Sequence, residues 1–360
     1  MNTVLAVILA IAILLVMITV HEFGHYAAGK ILKFKINEFA IGFGPKLFRR
    51  TSKKTGEAFS IRLLPLGGFC AFDGEDAEGL NPDSFNNKAP WKRIIVLLSG
   101  PLMNYLLALL MIIISLFAFG QMLFKVDGIA PANEGTVIEY SLEEGDLIVK
   151  ADGKGIYLTT DLMTALNGRH EGDLVEMTVL RDGRKQKIEV QLRGDCDFKN
   201  SGDTNKLWNA LGIGTHPEGE AVYWSISTAT HRFGFFETIG RSFVYSFRIA
   251  GTIFKVLGEL LTGHLGLSAM GGPVTTIKLT SQIASQSVQS FFEIASYIGV
   301  NLAVFNLLPI PALDGSKVVF CLIEIIFRKP VPRKIEAIIH AVGFVLILGF
   351  AVLTDILQFI

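Results

Sequence analysis

Residues 4–25 read VLAVILAIAILLVMITVHEFGH. The first seventeen of these, residues 4–20, carry no charge and no helix breaker. At about 1.5 Å per residue they cover most of the roughly 30 Å hydrocarbon core of a bilayer before His21, Glu22 and His25 arrive. A cleaved signal peptide is the competing reading. Met1, Asn2 and Thr3 offer no basic residue, and no small-residue cleavage site separates the apolar run from His21. The stretch therefore reads as a first membrane span that ends in a cluster of ionisable side chains.

Working outward, three more apolar runs follow: residues 94–120, 291–308 and 335–357. Gly100 and Pro101 predict a helix disturbance inside the second. Residues 235–261 are semi-apolar but interrupted by Glu237, Arg241, Arg248, Lys255 and Glu259, a spacing suited to an amphipathic helix at an interface, with a fifth span as the alternative. The whole composition agrees: of 360 residues 50% are hydrophobic and 18% charged, and mean hydropathy is +0.46. With 33 basic residues against 33 acidic ones there is no electrostatic footprint for nucleic acid. Cys70, Cys196 and Cys321 lie far apart and show neither a disulfide framework nor paired zinc spacing. Basic residues dominate between the first two spans and in the loop around Arg328, Lys329, Arg333 and Lys334, which places both segments on the cytoplasmic side. Residues 125–215 carry the opposite bias, so both termini and this middle region fall outside.

Two non-helical regions interrupt the spans. KFKINEFAIGFGPKLFRR (33–50) and GEAFSIRLLPLGGFCAF (56–72) alternate apolar and polar residues with glycine and proline punctuation, predicting a membrane-associated β-hairpin. If Ile61, Arg62, Leu63 and Leu64 form an exposed sheet edge, that edge can pair with an unwound substrate backbone; the alternative is a hairpin that only shields a site from lipid. The second region has short β-branched runs at 147–150, 175–180 and 187–192, with Asp-Gly turns at 152–153 and 182–183. Its order, SLEEGDLIVKADGKGI (141–156) then TDLMTALNGRHEGDLVEMTVLRDGRKQKIEVQL (160–192), resembles a single PDZ domain, an α+β fold that captures peptide ends by strand addition. The resemblance places the peptide-binding loop at 128–139, and leaves peptide capture and a spacer role as equal alternatives.

The chemistry concentrates in two motifs. HEFGH is an HExxH pattern, and on a helix the i, i+4 spacing puts His21 and His25 on one face, where they can share a Zn²⁺ ion with Glu22 beside it as general base. Three ionisable groups in five residues of a membrane helix need a compensating metal, cavity or partner; histidines merely marking the interfacial end of the span are the alternative. A catalytic zinc needs a third protein ligand. Asp314 is the best candidate, in NLLPIPALDG (306–315), where two prolines end the third span; a plain helix N-cap is its alternative role. Glu324 is the chief rival, ahead of His170, His216, His231, His264 and His340.

Taken together, HEFGH, the GPLMN segment at 100–104, the PDZ-like insertion and NLLPIPALDG resemble the bacterial site-2 proteases, intramembrane zinc metalloproteases, along nearly the whole chain. The resemblance implies His21, His25 and Asp314 as zinc ligands, Glu22 as catalytic base and Asn306 as a residue that holds the substrate backbone. It also implies cleavage of single-span membrane proteins, such as anti-sigma factors or remnant signal peptides, in a bacterial cytoplasmic (inner) membrane, with the PDZ-like domain extracytoplasmic and the active site near the cytoplasmic side. The chain departs in having one PDZ-like copy where close members have two, and Ser316 where a second glycine often follows the aspartate. The expected architecture is a multi-span α-helical membrane protein of about four transmembrane helices: a protease core at 1–124, the PDZ-like domain at 125–215, a linker with the amphipathic helix at 216–284, and a second core segment at 285–360. A transporter and a PDZ-based scaffold are the competing classes. The first lacks an inverted repeat, and the second leaves HEFGH and the late aspartate without a role.

Overall fold

The structure is a computed structural model describing residues 3–75, 82–129, 142–199, 203–218, 221–264 and 271–359. In chain order, helix α1 (Thr3–Ile31) leads into strands β1 (Ile36–Thr51) and β2 (Ala58–Phe72), and helix α2 (Pro90–Ala118) follows. Next come β3 (Gln121–Val126), β4 (Leu147–Ala151), β5 (Lys154–Gly155), α3 (Thr159–Leu166), β6 (Leu174–Arg181), β7 (Arg184–Gln191) and α4 (Thr204–Ala210). The remainder is β8 (Thr215–Glu218), β9 (Ala221–Trp224), β10 (Ile226–His231), α5 (Phe235–Leu261), α6 (Pro273–Ala284), α7 (Val288–Leu307), α8 (Asp314–Phe327) and α9 (Arg333–Phe359). The chain divides into two compact units, Met1–Ile114 with Leu265–Ile360, and Ser115–His264.

Among the described residues four helices are long and apolar enough to cross a membrane: Val4–Ile31, Pro90–Ala118, Val288–Leu307 and Arg333–Gln358. In the first unit α1 shows how a largely apolar helix still acquires direction. Ala6, Ala10, Ile13, Met17, His21 and His25 recur every three or four residues and are buried, whereas Val4, Leu5, Ile8 and Val16 are exposed. One stripe therefore carries both the packing and the histidines. Met17 and Ala108 of α2 meet at Gly299 of α7, where an added Cβ would lie 2.9 Å from Ala108 and 3.2 Å from the Met17 sulfur. A small residue is what lets the three helices close up. The disturbance expected at Gly100 and Pro101 does not break the helix: α2 runs through both. Pro101 removes a single N–H, a loss that helices packed among neighbours tolerate. Asp355 of α9 caps α6 by accepting from the Val274 and Thr275 N–H groups, 3.0 Å each.

The predicted hairpin is present but doubled on itself. Phe39 faces Cys70 on one side and Phe59 on the other, while residues 58–61 also face 46–51. The result is a four-stranded layer with 46–51 at one border and 68–72 at the other. Glycine is required at the bend: Gly67 has φ +127°, and a Cβ there would strike the Phe43 ring. This register moves Ile61 off the edge expected at Ile61, Arg62, Leu63 and Leu64. Ile61 sits between Ile41 and Phe48, Arg62 opposite Lys46, and Leu64 opposite Phe43. Alternation alone does not reveal that a hairpin has folded over, so Ile61 read as part of a border.

The second unit is a water-type fold. Its antiparallel sheet runs β10-β3-β4-β6-β7, with β5 paired to β4, over a core that includes Ile148, Leu162, Met177 and Leu207, all essentially inaccessible. The two Asp-Gly turns form as read. Asp152 and Gly153 have φ of 50° and 73°, and Asp182 and Gly183 of 51° and 73°, the paired left-handed conformation of a tight two-residue hairpin. Beyond residue 215, β10 adds a strand beside β3, with Ile226 opposite Val126. The loop expected at 128–139 lies outside the described residues from 130 onward. Helix α5 buries Thr238, Arg241, Ser242 and Ser246 with Ile249 and Ile253, and exposes Phe236, Phe243, Phe247 and Phe254. Its polar side is tied inward by Arg241 Nε donating to Gln121 Oε1 and by Arg248 facing Asp161 at 3.4 Å.

Candidate metal centre

Three side chains from two helices of the first unit converge on one point. His21 and His25 extend from successive turns of α1, and Asp314 stands at the first position of α8, just after the proline-broken turn. Asp314 Oδ2 lies 3.0 Å from His21 Nε2 and 3.3 Å from His25 Nε2, and the two imidazole nitrogens are 3.1 Å apart. His25 Nδ1 donates to the Val96 carbonyl at 2.8 Å, since a carbonyl can only accept. That bond fixes the tautomer and turns the lone pair of Nε2 toward Asp314. Two imidazole nitrogens and a carboxylate oxygen thus meet in a buried spot where Asp314 Oδ2 has no hydrogen bond. With its Nδ1 proton given to Val96, neutral His25 turns an Nε2 lone pair toward the Asp314 carboxylate at 3.3 Å, and a cation resolves that meeting of acceptors. Tetrahedral bonds of about 2.0–2.1 Å to zinc separate ligand atoms by roughly 3.3 Å, so the spacing suits a three-ligand zinc site with one open position.

Glycines make the convergence possible. A Cβ on Gly100 would lie 2.4 Å from His25 Nε2 and 2.9 Å from His21 Cε1. A Cβ on Gly24 would lie 2.4 Å from the Ser99 carbonyl oxygen, so α1 and α2 touch backbone to backbone beside the histidines. On the other side, α9 supports the turn that carries Asp314. Ala312 adopts φ +73°, unusual for a residue with a side chain, and its N–H donates to His340 Nδ1 at 3.0 Å. Gly343, one turn along α9, allows Pro311 to approach its backbone.

Glu22 Oε2 accepts the Cys70 N–H at 2.9 Å, which docks the 68–72 border of the β layer against α1. A cavity of about 440 Å³ is lined by His21, Glu22, His25 and Asp314 together with residues 69–72. Burial drives the Cys70 thiol well above its ordinary pKa, so it is the backbone of Cys70, and not its sulfur, that serves the site. The cavity does not include Ile61, Arg62, Leu63 or Leu64, nor Asn306, whose amide donates to Leu302 one turn back in α7.

The rival ligands are placed elsewhere. Glu324 is paired with the buried Arg93, and His170 faces Asp195 on the surface of the second unit. His231 meets the Phe233 ring edge-on, and His264 is exposed with its Nδ1 at the Thr262 hydroxyl. The side chain of His216 is not described. Among the described residues His21, His25 and Asp314 form the cluster whose ligand atoms all lie within 4.8 Å of one another. Sequence reasoning did not find the Val96 carbonyl, the Cys70 N–H or Gly24, and it weighed His340 only as a rival ligand. A backbone group has no residue signature, and the partner of His340 is a backbone amide on another element.

Comparison with known proteins places this geometry in context. Residues 9–350 match the family described as Peptidase family M50. A "putative zinc metalloprotease" of Clostridium perfringens is 33% identical, with 97% of each chain covered. Proteins of the same description from Nostoc sp. and Campylobacter jejuni are each 30% identical; the alignments cover 97% and 99% of this chain and 94% of each relative.

Proposed function

The chain belongs to peptidase family M50, the site-2 protease family, and from that premise we propose that it is an intramembrane zinc metalloendopeptidase that cuts single-span membrane proteins in or beside their membrane segment. Zinc is the cofactor of this family. The observation that carries the reading is the buried meeting of His21, His25 and Asp314 beside Glu22, on a helix long enough to cross a bilayer.

In this reading His21, His25 and Asp314 hold the ion, which when bound supplies Lewis acidity toward water and the scissile carbonyl. Glu22 is the general base. It takes a proton from the attacking water and returns it to the departing amine as the carbon–nitrogen bond breaks. The Cys70 N–H keeps the Glu22 carboxylate in one orientation, and His25 keeps its tautomer through Val96. A helical substrate hides its amides and must open locally, which favours substrates with helix-weak residues. The 68–72 border, facing Glu22, is the strand such an extended segment would join, and Asn306, on the last turn of α7, is the second holding group.

The substrates we assign are anti-sigma factors or remnant signal peptides in the bacterial cytoplasmic membrane, with the cavity toward the cytoplasmic side. The sheet of the second unit, with its two Asp-Gly hairpins, supports a PDZ-like domain that screens them on the extracytoplasmic face, and α5, phenylalanines outward, lies at that interface. The test is zinc stoichiometry together with cleavage of a single-span substrate in detergent. Asp314→Asn is expected to lose both, and unchanged zinc content with unchanged cleavage overturns the assignment.

A further inference from the structure

The face of α1 opposite the histidines carries its own pattern: Phe23, Tyr26 and Lys30 at i, i+3 and i+7. With two rings of the β layer they form a continuous wall. Phe23 and Tyr26 have ring centres 6.3 Å apart, Tyr26 and Phe39 5.4 Å, and Phe39 and Phe59 6.1 Å in a stacked pair. This wall bounds a cleft of about 730 Å³ whose rim is the end of β1, with Arg50, and the following turn, with Lys53 and Lys54. Among the described residues none of these three cations forms an ion pair, whereas Glu57, the acid in the lining, is held by Lys30. The cleft is apolar along its floor and positive at its mouth.

Position identifies what such a cleft would hold. Helix α1 has 29 residues, about 44 Å, against a hydrocarbon core of roughly 30 Å. Its last two and a half turns, which carry Phe23, Tyr26 and Lys30, therefore reach headgroup level, where aromatic rings and basic side chains accumulate. We propose that this cleft binds one anionic phospholipid, with an acyl chain along the ring wall and the phosphate between Arg50, Lys53 and Lys54. Charge complementarity selects the headgroup and the rings select a chain-bearing ligand over a soluble phosphate. The inference rests on α1 crossing a membrane and is independent of peptide hydrolysis. Because Phe23 adjoins Glu22, the lipid would lie against the same turn of helix that presents the proposed base.

The experiment counts lipids retained by the full-length chain in native mass spectrometry, released from micelles containing equal phosphatidylglycerol and phosphatidylcholine. The wild type is expected to retain phosphatidylglycerol preferentially. Each basic residue beside an anionic headgroup is worth on the order of fivefold, so Arg50→Gln, Lys53→Gln and Lys54→Gln together are expected to lower that preference about a hundredfold. Should the triple variant fail to fold, the Lys53→Gln, Lys54→Gln pair on the exposed turn carries the same reading at roughly twenty-fivefold. Phe59→Ser is expected to weaken retention of both lipids, and excess glycerol phosphate to displace neither. Equal retention of the two lipids by the wild type overturns the proposal, as does an unchanged preference in the charge variants. Displacement by glycerol phosphate also overturns it, because the cleft would then be a site for soluble phosphate compounds.

Discussion

The two units of this protein solve opposite solvent problems. In the Ser115–His264 unit Ile148, Leu162, Met177 and Leu207 are buried and the charged side chains of β6 and β7 point outward, as water demands. In the other unit α9 exposes Phe344, Val345, Leu346 and Leu348, while His21, His25, Arg93 and Asn104 are buried. Apolar atoms gain little by leaving lipid, so what holds these helices together is close backbone approach at Gly24, Gly100 and Gly299 and the polar contacts between them. The lesson is that burial has a different meaning in each unit. In the second it marks an apolar core, and in the first it takes in apolar packing and the polar groups of the site together.

That contrast can be broken by substitution. The largest effect is expected from Glu22→Gln, which keeps shape and burial but removes the base. Cleavage should fall by about 10²–10⁴-fold with zinc content unchanged, measured by substrate turnover and metal analysis on the same sample. Wild-type turnover would reject the assigned base. Next comes Leu162→Ala in the water-type core, expected to cost about 2–5 kcal/mol, read as faster amide exchange across β4 and β6. Protection equal to wild type would mean that this core does not stabilise the sheet.

His340→Ala tests whether α9 holds the turn bearing Asp314. Zinc affinity should drop by roughly tenfold in a competition titration, with partial recovery in His340→Gln, whose side-chain oxygen can still accept the Ala312 N–H. Equal affinity in all three proteins would show that the hydrogen bond is incidental. The smallest effect belongs to Leu346→Ala on the exposed face of α9, which should change thermal stability by no more than about 0.5 kcal/mol in lipid. A loss as large as that of Leu162→Ala would show that this face packs against protein and not lipid.

The contrast also explains which parts were legible beforehand. Spans, turns and the HExxH helix depend on neighbours within a few residues, so apolar run length, the Asp-Gly pairs and an i, i+4 spacing sufficed. Gly100 and Pro101 mislead by the same local logic: proline weakens an isolated helix, but α2 is supported by the helices around it. The border strand was misplaced for the related reason that a hairpin folded over itself gives its inner and outer halves the same alternation.

From the order of residues alone followed the membrane-crossing helices, the paired histidines with their glutamate, and the choice of Asp314 as the carboxylate worth watching, because each is written in short-range periodicity and residue chemistry. Only the tertiary structure decided that Asp314 lies 3.0 Å from His21, that residues 68–72 and not 61–64 border Glu22, and that His340 supports the turn between them. Those facts depend on how closely separate backbones approach, and that distance is set where a glycine removes a side chain from a crossing, a quantity that no local pattern encodes.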